Sequence, residues 1–320
     1  MNVSECPPVL LIAFNRPDLT RQTLERIASC RPTQLFVAID GPRPGSDTDA
    51  SQIQATRSLF DNLDWSCRLE LRCLQENVGC RKAVTDAVSW FFERVERGII
   101  LEDDCLPNAG FFRFCQELLE HWADEPRVMS ISGTNLVSGT VGSGSTHGDG
   151  SSYIFSRFQQ VWGWATWRER WEQFRDDQAC LELARQQTAI STELGQRATD
   201  IWLNQMQRTI DGEIDTWDYL WLMSCWAKEG FAIIPGVNLV RNIGFDHRAT
   251  HTHDRSAKGA NLEVQELDFP LGHPESIQVS RYDREVLKQF HQIDSGGSAG
   301  RIMNARFRRW LTRFGRHHAG

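Results

Sequence analysis

Between residues 7 and 104 the sequence switches repeatedly between two periods. "PPVLLIAFN" is a short apolar run bounded by proline and asparagine, and "LTRQTLERIASC" after it repeats its apolar residues at helical intervals, with Asp18 as candidate N-cap. "QLFVAIDGPRPG" repeats the form of the first run: an aliphatic stretch, an acid at its end, then a Gly/Pro turn. "SQIQATRSLFDNL" is helical in spacing, "CRLELRCL" alternates like a strand, "RKAVTDAVSWFFERV" is helical, and "GIILEDD" is again an aliphatic run closed by acids. Strands alternating with helices predict an α/β fold with a mostly parallel central sheet, right-handed crossovers and helices on both faces. In such sheets ligands bind beyond the carboxyl ends of the strands. Asn15, Arg16, Asp40, Glu102, Asp103 and Asp104 all fall there.

The second half has a different character. Residues 136–152, "LVSGTVGSGSTHGDGSS", are rich in Gly and Ser, which predicts a mobile loop of the length seen in lids. "QQVWGWATWRERWEQF" then gathers five aromatics, four of them Trp. "EIDTWDYLWLMSCWAKEG" has helical spacing, and "FAIIPGVNLVRNIGF" suits strands around a turn. These shifts divide the chain into residues 1–135, a candidate nucleotide-binding half, residues 136–270, a candidate acceptor and catalytic half, and a C-terminal extension over 271–320. No internal repeat is evident.

With a formal net charge of −7 over 320 residues and 24% charged residues, a general nucleic-acid-binding surface is not expected. The nine cysteines form no CxxC pairs, which suits reduced thiols, and the N-terminus has neither a basic n-region nor a small-residue cleavage site. A cytoplasmic protein is the expectation. Apolar stretches are strand-sized, well short of the roughly 20 residues of a membrane span. The tail "RIMNARFRRWLTRFGRHH" interleaves arginines with apolar residues at helical intervals and carries no acid. It suits a helix on an anionic membrane surface, at the inner membrane, or equally one docked on the domain.

Three adjacent carboxylates at the end of an aliphatic strand repel one another, and the strand gains nothing from them. They suit a hard divalent cation, because Mg²⁺ or Mn²⁺ takes one or two carboxylates and fills its remaining positions with water and phosphate oxygens. The alternative is a solvated acidic turn. Arg16 suits a phosphate or a base and Asp40 a base or ribose, although Asp40 before Gly41-Pro42 is also a natural turn residue. Asp215 and Asp218 stand three apart on the expected helix, share one face, and have Trp217, Tyr219 and Trp221 around them. Such a carboxylate can take a proton from a sugar hydroxyl, or it can simply serve the helix dipole. His247, His251 and His253 lack zinc-type spacing, so one of them completing a cation site fits better than a zinc centre. The indoles of "VWGWATW" suit stacking on sugar faces, with Gly163 admitting a ligand to the backbone, or plain core packing.

Taken in order, "PVLLIAFNRPDLTRQTLERI", "FVAIDGP", "ENVGCRKAVTDAVSWFF", "GIILEDDCLPNAGFFRFCQELL", "VWGWATW", "TWDYLW" and "VNLVRNIGF" resemble the metal-dependent GT-A fold glycosyltransferases. The likeness runs over roughly residues 7 to 255 and is greatest to the inverting β-1,2-N-acetylglucosaminyltransferases and to bacterial family 2-like relatives. It implies a Rossmann-like first half, a smaller acceptor-side subregion, a UDP-linked sugar donor such as UDP-GlcNAc, Mn²⁺ or Mg²⁺ on a DXD-type motif, and a glycan or glycolipid acceptor. Carried over by position, Asn15, Arg16, Asp40, Arg81, Lys82, Glu102 and Asp103 would bind the donor, Asp104 and His251 the metal, and Trp162, Trp164 and Trp217 the acceptor. Asp218 would be the catalytic base, with Asp215 its competitor because "TWDYLW" departs from the animal spacing. A sugar-nucleotide pyrophosphorylase is disfavoured by the lack of glycine in "IAFNRPDLT". A carbohydrate- or nucleotide-binding protein without catalysis remains the alternative of another class.

Overall fold

A computed structural model describes residues 6–137, 150–245, 262–279 and 281–289. Its centre is an eight-stranded sheet built from β1 (Val9–Ala13), β2 (Gln34–Ile39), β3 (Arg68–Cys73), β4 (Arg97–Glu102), β6 (Val128–Ser132), β7 (Tyr153–Ser156), β8 (Trp164–Trp167) and β9 (Phe231–Pro235), in the order β3-β2-β1-β4-β8-β6-β9-β7. A two-stranded ribbon of β5 (Cys105–Pro107) and β10 (Val240–Asn242) lies just beyond the end of β4. Helices α1 (Pro17–Cys30), α2 (Asp49–Ser58), α3 (Cys80–Phe92) and α4 (Ala109–His121) connect the first strands. The short α5 (Arg168–Trp171), then α6 (Gln178–Gln186), α7 (Thr188–Leu194), α8 (Gln196–Ile210) and α9 (Asp218–Ala227) follow β8, and α10 (Tyr282–Gln289) closes the described chain.

The expected α/β architecture is present, but the sheet is mixed rather than mostly parallel. β3, β2, β1 and β4 run parallel, as does the β6–β9 pair. The Trp-rich stretch supplies the difference: β8 inserts between β4 and β6 antiparallel to both, and β7 lies antiparallel to β9. A strand whose indoles read as ligand contacts is therefore the seam of the sheet. The seam also carries the sheet across the division expected at residue 135. "FAIIPGVNLVRNIGF" does form two strands, yet they serve different sheets, β9 the large one and β10 the ribbon.

Period-two alternation explains why β1 is buried on both faces. Val9, Leu11 and Ala13 face α1 and α4, with Phe111, Phe114 and Leu118, whereas Leu10 and Ile12 face α3, with Val84, Val88 and Phe91. A third cluster joins α6, α8 and α9 to Ile154 and Ile234. The C-terminal extension contributes to these cores, since Leu271, Tyr282, Val286 and Leu287 are buried. Most of the loop expected at 136–152 and the whole basic tail lie outside the described residues. No described helix is long and apolar enough to cross a membrane.

Candidate active site

β1 has β2 on one side and β4 on the other, and the chain runs from β1 to β2 but from β4 toward β6, so the strand order reverses between β1 and β4. A crevice at such a reversal is the usual ligand position in an open α/β sheet. Phe14, Asn15 and Arg16 follow β1 there, Asp40 follows β2, and Glu102 ends β4 with Asp103 and Asp104 in the turn after it.

The acids do not project freely into solvent. Arg16 is clamped between Asp103, to which it makes a close ion pair, and Asp104, at 2.9 Å. The amide of Phe14 donates to Asp103 at 3.4 Å, and the Thr23 hydroxyl of α1 donates to the Asp103 carbonyl at 2.9 Å. Burial alone would lower the Arg16 pKa, but the two carboxylates outweigh it and raise it. Asp103 is buried, and desolvation raises its pKa with Arg16 pulling the other way. Glu102 is raised by desolvation first and then by Asp104 and Asp103, with Asp218 adding to the effect. One arginine against three acids leaves the cluster short of positive charge.

Asp104 is held on its other side by the ribbon. Asn242 reaches toward its carboxylate at 3.4 Å, and the Ile243 amide donates to its carbonyl at 2.9 Å. A Cβ on Gly244 would stand 2.1 Å from the Asp104 Oδ2, so only glycine lets the chain pass this carboxylate.

Asp40 is buried and takes hydrogen bonds from the amides of Gly41 at 2.8 Å and Val78 at 3.1 Å and from the Asn77 side chain at 2.8 Å. Burial raises its pKa against these bonds. Asp40 thus fastens the loop before α3 to the end of β2. Asn15 donates to Asp49 at 2.8 Å, which Arg43 also grips at 2.7 and 2.8 Å. Arg43 holds the Asp49 carboxyl well below the usual carboxylate range.

Two carry-overs land elsewhere. Arg81 turns toward the second half, donating to the Thr209 carbonyl at 2.9 Å and to Asp176 at 2.9 Å, and Lys82 pairs along α3 with Asp86 at 2.7 Å. Neither joins the acid cluster. His251 lies outside the described residues.

Asp215 and Asp218 prove to have different partners. α9 begins at Asp218, so Asp215 is not on the helix but in the loop before it. Its two carboxylate oxygens accept from the amides of Cys80 and Arg81, both at 3.1 Å, which makes it the cap of α3 supplied from across the fold. Asp218 is partly buried and accepts a short hydrogen bond from Thr216. A similar shift applies to α1, where Pro17 opens the helix after Arg16 and Asp18 sits in the first turn rather than at the N-cap. Cys80 marks the convergence of the two halves: desolvation raises its thiol pKa first, followed by Glu102, Asp215, Asp218 and Asp104.

The indoles separate sharply. Trp164 is 1% exposed and Trp217 3%, their rings stack at 5.5 Å, and Trp171 and Trp221 pack around them. As core residues they support the start of α9 from below and have no face to offer a sugar, which corrects their assignment to the acceptor. Trp162 is only partly buried and meets Phe245 edge-on at 5.6 Å. Gly163, at φ +66°, serves packing as well, because a Cβ there would stand 2.8 Å from Val240. Sequence reasoning passed over Asn77, Thr216 and Asn242. Only Thr216 carried a signal, as a hydroxyl residue two positions before an acid at a helix start.

Among the described residues no group of three or more His, Cys, Asp and Glu side chains is arranged to hold a metal ion. The donor set nevertheless suits a hard cation: Arg16 is shared between Asp103 and Asp104, and one guanidinium against three carboxyl groups leaves oxygens of Asp104 and Glu102 that could face a cation.

No family model and no curated protein matches the chain. Among solved structures it is similar to the HddC structure from Yersinia pseudotuberculosis, with a TM-score of 0.30 and 8% identity over 51% of this chain and 77% of that chain. A likeness at that level says nothing about the site.

Proposed function

We propose that the chain is a metal-dependent GT-A fold glycosyltransferase that moves a sugar from a UDP-linked donor to a hydroxyl of a glycan or glycolipid acceptor with inversion. The observation that carries the reading is the convergence of two acidic groups at one crevice: Glu102, Asp103 and Asp104 around Arg16 on one side, Asp218 on the other. A diphosphate with its cation is the ligand chemistry that a buried, incompletely neutralised acid cluster beside an arginine suits best. Asp104 and Glu102 would hold Mn²⁺ or Mg²⁺, which when bound neutralises the charge of a departing diphosphate.

In this reading Asp218 takes the proton of the acceptor hydroxyl, whose oxygen attacks C1 of the donor sugar from the face opposite the diphosphate. The C1–O bond to phosphate breaks, UDP leaves, and the anomeric centre inverts. Thr216 donates to one oxygen of Asp218 and leaves the other for the proton. The capping bonds of Asp215 favour Asp218 over it as the base. Such general-base help is worth about 10²–10⁴-fold. The remaining acceleration has to come from alignment and charge stabilisation.

The test is UDP release from a panel of UDP-sugars with Mn²⁺ or with EDTA. Slow hydrolysis of one donor that stops in EDTA supports the transferase. Tight metal-dependent UDP binding with no turnover of any donor, even with acceptor glycans supplied, would favour a binding protein instead.

A further inference from the structure

The ribbon that holds Asp104 has a second face. Pairing of Asn242 with Cys105, Arg241 with Leu106 and Val240 with Pro107 fixes its register, and side chains alternate along each strand. Val240 packs into the core with Cys105, and Asn242 reaches Asp104. Leu106 and Arg241 point the other way. They look into a cavity of about 650 Å³ between the ribbon, α1 and residues 262–264. This volume is within the roughly 300–1,000 Å³ typical of small-ligand sites.

Arg26 of α1 and Arg241 line this cavity, with Asn108, Leu106, Val264 and Glu263. Asn108 is engaged locally: its oxygen accepts from the Phe111 amide at 3.0 Å and its nitrogen donates one of its two hydrogens to the Gln265 carbonyl at 2.9 Å. The arginines differ from it. Neither guanidinium makes an ion pair or hydrogen bond among the described residues, whereas Arg16, Arg43, Arg81 and Arg157 are all tied to acids. Glu263 is exposed and brings one negative charge against their two positive charges. On a chain of formal net charge −7, two unneutralised guanidiniums in one concavity are a local feature and not a general basic surface. Guanidinium forks match the planar oxygens of carboxylate and the oxygens of phosphate, and Leu106, Pro107 and Val264 provide an apolar wall for the body of a ligand.

We infer that this cavity is an anion site for a phosphate- or carboxylate-bearing saccharide, held by Arg26 and Arg241 on the back of the ribbon that carries Asp104. The choice of a saccharide body rests on the transferase reading, and the anion chemistry does not. An acidic acceptor gripped here would be anchored on the ribbon whose Asn242 reaches Asp104.

The probe is α-D-glucose 1-phosphate, titrated calorimetrically into the full chain in EDTA with uncharged glucose in parallel. The wild type binds the phosphate saturably and glucose not at all. The Arg26→Ala/Arg241→Ala double variant loses roughly tenfold or more in affinity with an unchanged melting temperature. Arg16→Ala keeps the wild-type affinity. Absence of binding by the wild type, or equal affinity in the double variant, overturns the inference. So does loss of binding in Arg16→Ala alone, which would locate the anion at the acid cluster, where Arg16 is the guanidinium. None of these readouts requires turnover, so failure here and failure of the transferase reading are distinguishable.

Discussion

The carboxyl ends of β1, β2 and β4 and the Trp-rich seam around β8 were both legible as unusual clusters, and the fold treats them in opposite ways. At the strand ends, charged residues are drawn inward yet remain at the crevice, because a buried carboxylate needs a partner and Arg16 cannot serve three of them. At the seam, the indoles retreat into the core, where the apolar body of the ring needs only apolar neighbours. The Nε1 of Trp171 donates to Ser89 at 3.0 Å. The aromatic excess thus marks core here, whereas the acid excess stays at the crevice.

The sharpest way to break this contrast is to remove one residue from each region and ask what fails. Asp218→Ala should lower donor turnover by about 10²–10⁴-fold with little change in melting temperature. A fall of less than tenfold would return the base to Asp215 or to another group. Trp164→Ala should do the reverse, costing roughly 3–5 kcal/mol in denaturant unfolding. Trp162→Ala, at the partly exposed position, should cost about 1–2 kcal/mol. Equal costs at the two positions would mean that Trp164 is not core.

A smaller effect separates the two aspartates. Asp215→Ala should cost roughly 0.5–2 kcal/mol, as loss of a helix cap does, and reduce turnover only through the position of α3. Asp215→Asn, which retains one acceptor oxygen, should recover part of that stability.

A pH-dependent effect is expected where α10 docks. Asp283 is fully buried, accepts from Ser156 and from the Arg157 amide, and is pushed up to about 7 by desolvation. Between roughly pH 4 and pH 7 the folded chain keeps a proton on Asp283 that the unfolded chain has lost. Its contribution therefore favours folding at the acid end of that window and fades as pH rises through about 7. Asp283→Asn should remove this slope, so that the stability difference between wild type and variant changes by about 1 kcal/mol or more from pH 5 to pH 8. A difference that stays flat would mean the carboxyl is ionised throughout.

Sequence periodicity located β1, β2 and β4 and their polar ends, because two-sided burial and a turn leave few other solutions for such runs. It predicted a mostly parallel sheet and did not show that the Trp-rich stretch is an antiparallel strand within it. "VWGWATW" carries no mark of being antiparallel, since that depends on how β6 and β4 present their edges after the chain has travelled elsewhere. It also placed Asp215 on a helix, because spacing along the chain cannot show that the amides of Cys80 and Arg81, more than a hundred residues away, capture that carboxylate first. The partners of Asp40 were hidden for the same reason: Asn77 and Val78 become its neighbours only when the loop before α3 folds back over β2.

The account depends most on Asp104 and Glu102 being arranged for a cation that meets a nucleotide diphosphate. The direct measurement is calorimetric binding of UDP to the full chain with Mn²⁺ and with EDTA, for the wild type and for Asp104→Ala. The account predicts UDP binding that requires Mn²⁺ in the wild type and falls by roughly tenfold or more in the variant, with the melting temperature preserved. Binding of UDP that is equally strong in EDTA, or unchanged in Asp104→Ala, would contradict it.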